Sequence, residues 1–133
     1  MATTPEALMR EAAALHAAGR RGEAIALFRQ VLDGHPGLAE GWYELGYLLK
    51  AEGRHQDALD AYAQALARGI RRGEEVHLNR AIIFSDFLRR DDEAERELEA
   101  ALALNARYLP ALLNLGNLNE ERGRREQAMA LYT

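Results

Sequence analysis

WYELGYLLKAEGRHQDALDAYAQAL, residues 42–66, is the stretch on which the fold turns. Trp42, Leu45, Leu48 and Leu49 recur at a helical period, the pattern breaks at Gly53, and a second periodic run follows through Ala58, Tyr62 and Ala65. Two helices joined by so short a turn must run antiparallel. They approach closely only where both lack bulk at the crossing. Gly46, twelve residues before Ala58, supplies the small residue on the first helix.

The same skeleton appears elsewhere in the chain. HAAGRRGEAIALFRQVL (16–32) and NEERGRREQAMALYT (119–133) both place a glycine five residues before an alanine and an aromatic four residues after it. The three sets are Gly19, Ala24 and Phe28; Gly53, Ala58 and Tyr62; and Gly123, Ala128 and Tyr132. The glycines are separated by 34 and then 70 residues, so one further copy of irregular length lies between the second and the last. It is EEVHLNRAIIFSDFLRRDDEAERELEAAL (74–102), with Ala94 and Leu98 in the alanine and aromatic positions and no turn glycine. Ala12, Gly46 and Gly116 stand twelve residues before their alanines, but Ala81 stands thirteen before Ala94. One extra residue is therefore expected near Phe87–Asp91, and a second irregularity at Gly69–Gly73.

These copies resemble the tetratricopeptide repeat, a helix-turn-helix unit of roughly 34 residues with a W-x-x-L-G-x-x-Y, A-x-x-x-F, P signature. The second copy carries Trp42, Leu45, Gly46, Ala58 and Tyr62, with Leu49 where tyrosine is usual; Pro36 alone keeps the terminal proline. The resemblance implies an all-α, right-handed superhelical α-solenoid of about eight helices. The expected helices are 5–18, 22–34, 39–52, 55–68, 74–89, 91–104, 108–122 and 125–133. They form a single domain, 1–133, with repeats at 5–38, 39–72, 73–108 and an incomplete 109–133. Thr4 before Pro5 reads as an N-cap with proline at the first helical position. The expected core contains Phe28, Trp42, Leu45, Ala58, Tyr62, Leu66, Leu98 and Leu115.

The composition removes several functions. The chain has 133 residues, 17 Lys+Arg against 21 Asp+Glu, and no cysteine. Its net charge of −4 offers no attraction to nucleic acid or anionic lipid, and disulfides, thiolate metal sites and cysteine nucleophiles are excluded. No apolar run approaches a membrane span and the N-terminus is not signal-like, so a cytoplasmic location is expected. The four histidines share no i, i+3 or i, i+4 pair, Ser85 lies outside any nucleophile turn, and no phosphate-binding glycine motif occurs. No catalytic residue, metal or cofactor is expected. The arginine pairs at 20–21, 71–72, 89–90 and 124–125 are read as lying at turns, where helix C-termini favour cations.

The resemblance directs attention to a concave wall built from the first helix of each repeat. It places Met9, Ala13 and His16, then Glu40, Tyr43, Tyr47 and Lys50, then Leu113, Asn117 and Glu120 on that wall. The third repeat contributes Asn79 or Leu78, and Ile82 or Ile83. The family's carboxylate clamp for chaperone tails is absent: its positions hold Met9, Ala13 and Glu44, or, one repeat later, Tyr43, Tyr47, Arg80 or Asn79, Pro110 and Asn114. Asn79, Asn114 and Asn117 are similar to the asparagine ladder with which a glycosyltransferase superhelix holds peptide backbones. An amide both donates and accepts, and so grips a backbone without reading its sequence.

The expected function is thus a non-catalytic scaffold that binds a peptide or partner protein through Tyr43, Tyr47, Lys50, Asn79, Asn114 and Asn117. Two alternatives remain open. The chain could be the N-terminal module of a larger sulfotransferase- or glycosyltransferase-like enzyme, or it could self-assemble into a homo-oligomer through its open last repeat.

Overall fold

The computed structural model describes residues 4–131, among which lie seven helices and no strand. They are α1 (Pro5–Ala17), α2 (Arg21–Gly34), α3 (Ala39–Ala51), α4 (His55–Ala67), α5 (Gly73–Ile82), α6 (Asp91–Leu104) and α7 (Leu109–Leu131). A π-helical turn, Ile83–Phe87, extends α5. The chain divides into two compact units, one running to Arg71 and the other starting at Arg72.

In the first unit α1 packs on α2, α2 on α3 and α3 on α4. The Thr4 hydroxyl accepts from the Ala7 amide at 3.1 Å, and Pro5 opens α1, as the N-cap reading requires. Gly19 and Gly53 adopt φ of +80° and +79°, a conformation that costs glycine no Cβ clash. That conformation lets the next amide reach back five residues to a carbonyl of the last helical turn: Arg20 to Leu15 at 2.8 Å and Arg54 to Leu49 at 2.9 Å. These bonds close the two hairpins. Ala12 and Ala24 are completely buried. Gly46 lies under the ring of Tyr62, whose Cδ1 and Cε1 stand 2.8 Å from the point a Cβ would occupy. So the aromatic, rather than Ala58, is what the missing side chain admits.

Phe28, Leu45, Ala58 and Tyr62 are buried as expected, while Trp42 and Leu66 are half-buried. Trp42 donates its indole N–H to the Pro36 carbonyl at 2.8 Å, which ties the α2–α3 loop to α3. An amphipathic ring at a rim is satisfied by a polar partner of this kind.

In the second unit α5 packs on α6, and α6 on α7. The irregular copy resolves into two local features. The π turn at Ile83–Phe87 absorbs the extra residue, so Ala81 and Ala94 are both buried although thirteen residues separate them. Arg89 takes φ +56° at the place of the missing turn glycine, and the following amide, that of Arg90, bonds the Phe84 carbonyl at 2.7 Å. Leu98 is buried and Leu115 half-buried.

Two expectations are corrected. Residues 108–122 and 125–133 do not form two helices: α7 runs without interruption through Gly123, so Gly116 and Ala128 are both exposed and unpaired. The cause lies on α6. Arg122 bonds Glu95 at 2.7 Å and Asp92 at 2.9 Å, and Arg125 bonds Asp91, which fixes α7 to one partner on both sides of Gly123. Arg124 adds an i, i+4 pair with Glu120. Tyr132 lies outside the described residues.

The second correction concerns the arginine pairs. Arg20, Arg72 and Arg90 stand at the N-caps of α2, α5 and α6 and pair with Glu23, Glu75 and Glu93 three residues on. Arg54 pairs with Asp57 in the same way at 2.6 Å. These arginines therefore brace helix starts through an acidic residue of the first turn. Arg124 and Arg125 lie inside a helix rather than at a turn.

Candidate functional site

The sequence-derived wall residues of the first unit fall on α1 and α3. Tyr43 and Tyr47 are one turn apart on α3, yet they face different surroundings. Tyr43 is 8% exposed and its ring packs on Tyr62, with centroids 5.8 Å apart. Tyr47 is 47% exposed and meets His16 of α1 edge to face at 6.3 Å. Helical spacing places both at the wall, but the ring of Tyr62 draws one inward. Lys50 is half-buried on the last turn of α3.

Below the His16–Tyr47 pair lies a cleft of about 420 Å³ lined by Glu6, Met9, Leu38, Glu40, Ile70 and Arg71, among others. Met9 and Glu40 each precede His16 and Tyr47 by seven residues, two turns of helix. The wall therefore has two levels separated by about 10 Å, at 1.5 Å of rise per residue. The lower is an apolar recess with carboxylates at its edge, and the upper is an exposed phenol braced by an imidazole. Leu38, Ile70 and Arg71 were not among the sequence-derived site residues. The irregular spacing at Gly69–Gly73 was the one signal near two of them, since an altered loop re-aims side chains.

Behind the wall Tyr62 holds its hydroxyl buried without a hydrogen-bond partner. Burial, with smaller effects from Tyr43, Glu44 and Tyr47, pushes its pKa far above the usual phenol value. It stays protonated and is a packing group.

The second unit holds the three asparagines. Asn79 on α5 donates to the Glu75 carbonyl at 2.9 Å, and Asn114 on α7 donates to the Pro110 carbonyl at 2.8 Å. Both thus bond one turn back along their own helix. Asn117 is exposed. The polar centre of this unit is a cluster that the sequence reading did not single out. Glu97 of α6 accepts from Nδ1 of His77 at 2.6 Å and from Nε of Arg80 at 2.8 Å, and Arg80 lies 5.6 Å from the centroid of the Phe84 ring. Burial raises the Glu97 carboxyl, but the two hydrogen bonds and the charges behind them outweigh it and hold it below the usual glutamate range. Against an ionised carboxylate, Nδ1 of His77 carries the proton. These two hydrogen bonds join α5 to α6. The partners' separation in sequence, 17 and 20 residues, hid the cluster.

Among the described residues no group of three or more His, Asp or Glu side chains could hold a metal ion, and no helix is long and apolar enough to cross a membrane.

Consecutive antiparallel helix hairpins with a small residue at each crossing define a helical-repeat protein. The sequence matches the Tetratricopeptide repeat family at residues 15–77 and again at 110–133. The chain belongs to the tetratricopeptide repeat family, whose domains are generally protein–protein interaction modules. No curated protein matches the sequence. Among solved structures, the crystal structure of MamA is similar at 20% identity and a TM-score of 0.82, over 96% of this chain and 73% of that one. The first tetratricopeptide domain of Spaghetti (RPAP3), bound to the HSP90 peptide SRMEEVD, is similar at 17% identity and a TM-score of 0.79, over 90% and 93%. YrrB, described as having an unusual peptide-binding site, is similar at 18% identity and a TM-score of 0.76, over 96% and 64%. At these identities the likeness is one of fold.

Proposed function

We propose that the chain is a non-catalytic interaction module that binds an extended peptide on the α1–α3 face of its first unit. The observation that carries this reading is the exposed ring of Tyr47, braced by His16, two helical turns above the apolar recess at Met9. A rigid, half-exposed tyrosine offers contact area at low entropic cost, the property of a binding hot spot. The separation of the two levels, about 10 Å, is the rise of about three extended residues. A peptide lying along the face would therefore set one side chain against Tyr47 and another in the recess. Glu6, Glu40 and Arg71 put charges of both signs at the recess, which favours polar or charged groups of the peptide flanking the buried residue. One neighbour of the same fold bound to a peptide, and another described as having a peptide-binding site, support the class of ligand.

Tyr43, buried on Tyr62, contributes by backing the wall, and Lys50 extends the polar edge of α3. The asparagines of the second unit enter this reading as a further backbone-gripping surface, with Asn117 the exposed member.

A random peptide library selected on the chain, then rescreened against Tyr47→Ala, tests the site. Enriched peptides are expected to lose at least about tenfold in affinity, a hot-spot effect of about 1.4 kcal/mol, with helicity unchanged. Equal binding to Tyr47→Ala would sink the site, and failure to enrich any peptide would sink the peptide reading itself.

A further inference from the structure

The fourth repeat carries both halves of a hairpin and holds them apart. The face that α4 covers on α3 recurs 70 residues later on α7, where it is open. Tyr43, Leu45 and Gly46 are buried, whereas Leu113 is 58% exposed, Leu115 half-buried, and Gly116 exposed with no heavy atom within 4 Å of an added Cβ. The residues suited to return over this face follow Gly123. Ala128 stands at the position of Ala58, and Tyr132, outside the described residues, at that of Tyr62, which closes over Gly46. One brace is missing. In the other three hairpins the residue of positive φ is followed by an arginine that pairs with an acid three positions on: Arg20 with Glu23, Arg54 with Asp57 and Arg90 with Glu93. Arg124 has Gln127 there, and pairs backward with Glu120. Asn119, at the position where α3 buries Leu49, also disfavours closure.

We propose that α7 is a two-state latch: besides the straight helix it forms a hairpin that turns at Gly123 and lays residues 124–133 over Leu113, Leu115 and Gly116 of the same chain. The straight state offers the leucine face to the surroundings, and the hairpin covers it from within. Arg122 anchors the half before the glycine to α6 through Glu95 and Asp92. From the half after it, two ion pairs hold the straight state, Arg124 with Glu120 and Arg125 with Asp91. The arginines of these two pairs are 71% and 53% exposed, so each pair is weak and is screened by salt. A weak hold across a residue that takes the left-handed turn without strain brings the two states close in energy. The device lies within α6 and α7 and is independent of the peptide face on α1 and α3.

The test is a distance, and the lack of native cysteine allows it to be read between two spin labels. Labels on Leu109→Cys and Ala130→Cys stand about 32 Å apart along a straight helix, and under about 20 Å apart in a hairpin whose helices pack about 8–10 Å from each other. The labelled chain is expected to show the long distance with a minor short one, and the short one is expected to grow in about 1 M sodium chloride. Adding Gln127→Glu and Arg125→Ala, which restores the brace and frees the latch, is expected to raise the short population at least threefold. Gly123→Ala is expected to remove it. A short distance absent from the Gln127→Glu, Arg125→Ala chain, or surviving Gly123→Ala, would overturn the proposal. So would a short distance in an equal mixture of the two singly labelled chains, which places the contact between copies.

Discussion

The α3–α4 hairpin and α7 start from matching letters and end as different objects. Both place a glycine seven residues before a second glycine and an alanine five residues after that one, as Gly46, Gly53 and Ala58 or Gly116, Gly123 and Ala128. In the first case the chain turns at Gly53 with φ +79° and Tyr62 closes over Gly46; in the second it stays helical through Gly123. The local signals therefore permit a turn without compelling it. What decides is whether the returning helix gains a buried face. α4 buries Ala58, Leu59, Ala61, Tyr62 and Ala65, whereas the residues after Gly123 gain more by continuing along α6, to which Arg122 and Arg125 are bonded.

The sharpest way to break this comparison is to fill the two notches. Gly46→Leu drives a side chain into the Tyr62 ring and should cost about 3 kcal/mol in urea unfolding, the upper part of the usual range for overpacking a core. Gly116→Leu meets no neighbour and should leave the stability of the dilute chain unchanged or raise it by up to about 1 kcal/mol through helix propensity. Equal losses at the two sites would mean that the fourth repeat is folded back in solution.

A second test acts on what keeps α7 straight. Arg122 spans two carboxylates, Glu95 and Asp92, with its side chain 22% exposed. Arg122→Ala should cost about 1.5 kcal/mol, as charge-assisted hydrogen bonds of a partly covered group do. Amide hydrogen exchange after Gly123 should speed up accordingly. Unchanged protection there would show that intrinsic propensity alone carries the helix through the glycine.

The turns themselves give opposite signs. Gly53→Ala forces a Cβ into the left-handed region and should destabilise by about 1 kcal/mol, while Gly123→Ala, at a helical position with open space around it, should stabilise by about 1 kcal/mol. Thermal denaturation of the two variants reads both. A loss at Gly123 would place a turn there and bring the fourth repeat into line with the second.

The contrast also shows which parts of the molecule could be read from the chain. Hairpins one to three were legible because their determinants are local: a residue able to take positive φ, a small residue at the crossing, and a periodic apolar stripe. Even the insertion in the third copy could be counted, as the spacing from Ala81 to Ala94. The continuity of α7 could not, since it depends on contacts such as Arg122 with Glu95, 27 residues apart. The site divides along the same line. Periodicity put Tyr43 and Tyr47 on the wall of α3, but the choice of which ring stays exposed was made by Tyr62 and His16 on other helices. The recess at Met9 needed the course of the Gly69–Arg71 loop, which no repeat pattern encodes.

The smallest effect concerns the one hairpin that turns without glycine. Arg89 holds φ +56° between the π turn and α6, the conformation that Gly19 and Gly53 supply in the other hairpins. A side chain in that region costs about 1 kcal/mol relative to glycine, because Cβ crowds the following carbonyl. Glycine in turn has more freedom to lose from the unfolded chain, which returns part of the gain. Arg89→Gly should therefore raise stability by only about 0.5 kcal/mol, and Arg89→Ala should leave it nearly unchanged, since the strain remains. If Arg89→Gly were destabilising, the guanidinium would have to be bonded in a way that outweighs the strain. The third hairpin would then owe its turn to its arginine, where the first two owe theirs to glycine.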